Sequence, residues 1–123
     1  MGSLKLALSS VVVVLYSNLA LATDCQSASA QVLEYLAKTS NVTVDAIAVD
    51  KTFYQQEFSV DVLSIFNVVV ELEEAHAIKL RDEDVVDPIV YFDEEELEPK
   101  LRSDATVKDF QALVYKACSK FNS

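Results

Sequence analysis

Glycine is almost absent from this chain: 1 residue in 123, Gly2, at the very front. Glycine reaches positive φ at least cost, so its scarcity argues against tight hairpins and phosphate-cradling loops and favours helices. Histidine is equally scarce. With His76 alone and no serine pattern around it, no catalytic triad is marked, and the chain reads as non-enzymatic. Two cysteines and one histidine cannot supply a tetrahedral zinc site. The acidic runs Asp82-Glu83-Asp84 and Asp93-Glu94-Glu95-Glu96 lack the glycine and the alternating ligands of a calcium loop, so they read as solvated surface. No metal or cofactor is expected. Basic residues are few as well, 10 against 20 acidic ones, for a net charge of −10. Nucleic acid and anionic membrane both require positive charge and are excluded as partners; a basic protein is allowed.

What is present begins with residues 1–22, which have the pattern of a secretory leader. A single charge, Lys5, precedes the apolar stretch Leu6 to Leu15, and Ala20-Leu21-Ala22 closes it as a small-x-small cleavage site. An uncleaved anchor would need about 20 apolar residues; this stretch is shorter and is broken by Ser9 and Ser10. Residues 23–123 then form one domain, secreted and extracellular, with no membrane contact once the leader is gone. Cys25 and Cys118 are an even pair in a small secreted domain, most simply a disulfide. Closing so long a loop is worth about 4 kcal/mol in the chain-entropy treatment. Asn41-Val42-Thr43 is an acceptor sequon for N-glycosylation.

Periodicity places four helical segments. Cys25 to Thr39 carries Ala28, Val32, Leu33, Leu36 and Ala37 on one face, with Asp24 as N-cap. Residues 40–58 read as a long loop anchored inward by Val44, Ile47, Val49 and Phe53. A second helix is expected over Ser59 to His76, capped by Ser59, with Leu63, Phe66, Val69, Val70 and Leu72 buried. Asp87-Pro88 suggests a short third helix carrying the apolar quartet Ile89 to Phe92, which should be covered. Thr106-Val107-Lys108-Asp109 opens a last helix to about Lys120, burying Val107, Phe110, Leu113, Val114 and Ala117. With the first and last helices antiparallel, the two cysteines fall at one end.

In order and spacing these pieces resemble the acyl carrier protein family. The resemblance rests on Val32-Leu33-Glu34-Tyr35-Leu36, Val44-Asp45-Ala46-Ile47 and Lys51-Thr52-Phe53; then on Leu72-Glu73-Glu74 with Ile78 to Asp84; then on Ala105 to Phe110. It implies an all-α four-helix bundle with one long loop after the first helix; the segment Val86 to Ser103 is longer than the family's link and adds an acidic insertion before the last helix. The family's Asp-Ser-Leu signature falls on Asp61-Val62-Leu63, so the serine that carries phosphopantetheine is Val62, which has no nucleophile. Ser64 faces away from that site and Ser59 is spent as a cap, leaving a carrier modified at an unusual serine as a distant alternative. In that family acidic second-helix positions dock basic enzymes; here Asp61 and Glu74 keep that character while Ser64 and Asn67 do not, and the insertion's own charge at Asp93, Glu94, Glu95 and Glu96 supplies the rest of the expected partner surface. The function expected is a binding module for a basic protein partner; the alternative is a free fatty acid or other apolar ligand held between the helices.

Overall fold

The computed structural model describes residues 25–122, so the leader over 1–22 and the cap at Asp24 lie outside the described residues. Helix α1 spans residues 25–40 and buries Ala28, Val32, Leu36 and Ala37, the stripe its spacing predicts. It ends on Asn41 at φ 56°, with Val42 N–H donating to the Ala37 carbonyl at 3.0 Å. That six-residue closure satisfies a carbonyl the helix would otherwise leave open.

Residues 41–61 cross the bundle without long helices, through single turns at Val44–Ala46 and Phe53–Gln55. Phe53 and Ile47 are buried as expected, whereas Val44 is exposed and anchors nothing. A residue the periodicity did not flag organises the segment. Buried Gln56 donates through Nε2 to the carbonyls of Ala48, Lys51 and Thr52, and accepts the Ala48 N–H through Oε1. A buried amide satisfied this fully replaces the ladder that irregular backbone lacks.

Helix α2, Val62–His76, starts later than the sequence suggests. Its N-cap is Asp61, whose Oδ1 accepts the Ser64 N–H at 2.9 Å, and Ser59 lies outside it. The predicted buried face is also corrected. Ile65, Val68, Val69 and Leu72 enter the core, while Leu63, Phe66 and Val70 are exposed. Both sets have helical spacing, so periodicity alone did not choose between them.

The all-α expectation is overturned. After the short helix α3, Asp82–Val85, the insertion folds as an antiparallel hairpin of β1, Val90–Asp93, and β2, Glu98–Leu101. No helix starts at Pro88. Val90-Tyr91-Phe92 has strong strand preference, and Asp93 makes the turn without glycine by accepting the N–H groups of Glu95 and Glu96 at 2.9 and 3.2 Å. Leu97 takes the positive φ, 58°, that glycine usually supplies. Pro99 faces Phe92 in a pair next to Tyr91↔Lys100; because Arg102 N–H donates to the Ile89 carbonyl, alternation puts Pro99 where no ladder donor is needed. Ile89 is buried, but Tyr91 and Phe92 are exposed, contrary to the expectation that the quartet is covered.

Helix α4, Val107–Asn122, behaves as read. Thr106 and Asp109 exchange hydrogen bonds of 3.0 Å as a capping box, and Val107, Phe110, Val114 and Ala117 are buried. The core sits between α1, α2 and α4, with Phe53 and Phe110 edge to face at 6.3 Å. Cys25 and Cys118 are joined, 93 residues apart, across the first turn of α1 and the last of α4. Ser29 and Gln111 bond each other's backbone further along, so α1 and α4 are antiparallel.

Candidate functional site

The sequence-predicted acidic surface does not form one patch. Asp61 spends its carboxylate capping α2, and Glu74 is exposed thirteen residues along the same helix, about 20 Å away. In the hairpin, Lys100 Nζ sits 3.1 Å from Asp93 Oδ2 and 2.6 Å from Glu96 Oε2. Asp93 is held below the usual carboxylate range first by the Glu96 N–H and then by Lys100. Glu96 is lowered chiefly by its bond to Lys100, and the same two contacts raise Lys100. These charges close a turn. Glu94 and Glu95 project from it, exposed.

A second exposed surface consists of residues whose spacing predicts a place in the core. Along α2, Leu63, Phe66 and Val70 are 66%, 37% and 50% exposed. At about 100° per residue they share one stripe, roughly opposite Ile65, Val68, Val69 and Leu72. The helix is therefore apolar on two sides, an arrangement expected of an element covered on both. The N-terminal end of the stripe opens into a groove of about 540 Å³ between α2 and β2, lined by Tyr54, Val60, Val62, Leu63, Pro99 and Leu101, with Asp61, Glu98 and Lys100 at its edge. The Tyr54 hydroxyl donates to the Leu101 carbonyl at 2.9 Å and fixes the hairpin against the loop as the groove's wall. Val62 is the first residue of α2 and lines this groove with a hydrocarbon side chain.

Helix α2 has no lysine or arginine. Its charged residues are Glu71, Glu73 and Glu74, with His76 in the last turn. Glu71 pairs with Lys38 of α1 at 3.3 Å, and Glu73 accepts the Leu80 N–H at 2.9 Å. Of the acidic residues on this helix, Glu74 lies exposed beyond the stripe, while Asp61 before it is engaged in the cap. His76 Nε2 lies 2.7 Å from Gln31 Oε1, a structural contact between α1 and α2. Ser64 is buried in the capping bonds of Asp61, and Ser59 is exposed in the preceding loop.

Among the described residues, no three histidine, cysteine or acidic side chains are placed to hold a metal ion. Nor is any described helix long and apolar enough to cross a membrane. The other two predicted positions lie at opposite ends of α1, the Cys25–Cys118 bridge at its start and Asn41 just past its end. What could have revealed the stripe was the excess of apolar residues in Val62–His76 over what one buried face can hold. Comparison with protein-family models, curated proteins and solved structures returns no match.

Proposed function

We propose that this protein is a secreted, non-enzymatic binding module whose partner is a protein segment bearing apolar and basic side chains. It docks on the exposed face of α2 and in the groove beside β2. The observation that carries the reading is the stripe Leu63–Phe66–Val70, apolar and exposed on a helix whose only charged residues besides His76 are glutamates. Exposed apolar residues spaced along one helix face suit an amphipathic partner. The net charge of −10 favours encounter with a basic partner and disfavours pairing of two copies. The alternative of an apolar ligand between the helices has less behind it, since Phe53, Phe110, Ile65 and Leu72 fill that space.

Titration calorimetry with an amphipathic leucine–lysine helical peptide, its leucine–glutamate counterpart and a fatty acid tests the reading. The lysine peptide is expected to bind, more weakly as salt is raised, and to lose at least tenfold in affinity to Leu63→Asp. Leu63 is exposed enough for that change to leave folding intact. Equal binding of both peptides, or an unaffected Leu63→Asp protein, would overturn the proposal. Saturable uptake of the fatty acid alone would favour the alternative.

A further inference from the structure

We infer that Asn41 is a site of N-linked glycosylation, a modification independent of the docking face on α2. The sequon Asn41-Val42-Thr43 is common by chance, so the weight falls on how the chain presents it. Val42 packs partly buried against the core, which turns its neighbours outward, and Asn41 and Thr43 are both exposed. Among the described residues the Asn41 carboxamide makes no hydrogen bond or ion pair. The Thr43 hydroxyl, at the cap of the turn Val44–Ala46, makes no capping bond. Residues 44–46 of that turn are exposed as well, so the acceptor is presented on an exposed stretch of chain.

The structural reason for an asparagine at 41 is its left-handed backbone, which asparagine tolerates. In this chain that reason is insufficient. The other two positive-φ residues described are Ala77 and Leu97, so left-handed geometry in this chain does not require asparagine. The disulfide adds an independent indication, because it forms in the compartments through which N-glycosylated chains pass.

The co-reactant is a lipid-diphosphate-linked oligosaccharide. Asn41 Nδ2 forms the C–N bond to the anomeric carbon and gives up one proton. The anomeric C–O bond breaks, and the lipid diphosphate departs with the electron pair.

The test is expression of the full chain in a eukaryotic secretory cell, with intact-mass analysis before and after peptide-N-glycosidase. Should the chain remain in the cytosol, residues 23–123 behind an established leader give the same reading, so failure of the native leader does not decide the matter. The expected result is a glycan-sized mass increment that the glycosidase removes, converting Asn41 to aspartate. The increment disappears in Thr43→Ala and persists in Thr43→Ser. Asn41→Gly also abolishes it while keeping the helix closure, which separates loss of the acceptor from loss of the fold. A secreted protein of unmodified mass, or an increment that survives Thr43→Ala, overturns the inference.

Discussion

Reducing the disulfide should cost this domain a large part of its stability. Cys25 and Cys118 are 93 residues apart, so the bond closes nearly the whole described chain into one loop. The chain-entropy relation gives about 4 to 5 kcal/mol at 25 °C for a loop of that length. A domain of this size has about 5–15 kcal/mol in total. Urea unfolding should be followed on oxidised protein and on reduced protein with both sulfurs still present. Reduction leaves the packing of buried Cys118 almost unchanged, so the comparison isolates the cross-link from the cavity a Cys→Ala change would add. With a urea slope of about 1.5 kcal/mol/M, the midpoint should fall by about 3 M. A fall worth less than about 1 kcal/mol at that slope would mean the reduced chain is already constrained by residual structure, and would refute the entropic reasoning.

Three further outcomes follow from named contacts. Asp61→Ala should cost about 1 kcal/mol through loss of the α2 cap, while Asp61→Asn should cost only a few tenths, read by urea denaturation. Gln56→Ala leaves several loop backbone groups unpaired and should cost about 1–3 kcal/mol; faster amide exchange at Ala48, which loses its acceptor, should accompany it. The hairpin turn should weaken in acid. Asp93 and Glu96 sit below their ordinary values of 3.8 and 4.5, so their contribution is full above those values and is lost as pH falls through the lowered ones. NMR titration should show this, and Lys100→Met should return both carboxylates toward ordinary values. Unchanged titration in that variant would show that Lys100 does not hold the turn.

The parts of the fold legible in the sequence were those where one physical signal acted alone. In α1 and α4 a single apolar stripe faced a polar one, and Thr106-x-x-Asp109 marked a start, so extent and buried face followed. The cysteine pair was readable for a similar reason, since antiparallel α1 and α4 bring residues 25 and 118 together. The hairpin was illegible because its usual marks are missing. A turn without glycine depends on Asp93 bonding to later N–H groups and on Leu97 taking an unfavourable backbone region. Pro88, read as a helix start, sits instead in the turn before β1.

The misreading of α2 has a different origin, and it bears on function. Leu63, Phe66, Val69, Val70 and Leu72 form a plausible core face until Ile65 and Val68 are counted, and then the helix has more apolar surface than the bundle can cover. Packing against the rest of the core resolves the ambiguity. Asp61 fixes where the helix begins, and in the packed helix Ser64 and Ile65 are buried while Leu63 is exposed. Sequence patterns conflict with burial mainly where something besides folding constrains the residues. A chain needing α2 only for packing would gain solubility from polar residues at 63, 66 and 70. Leucine, phenylalanine and valine at these exposed positions are what the proposed docking surface requires. If that surface receives a basic partner, Leu63→Asp and Val70→Asp should leave the urea midpoint nearly unchanged and abolish binding together. Loss of stability without loss of binding would return these residues to the core and end the argument.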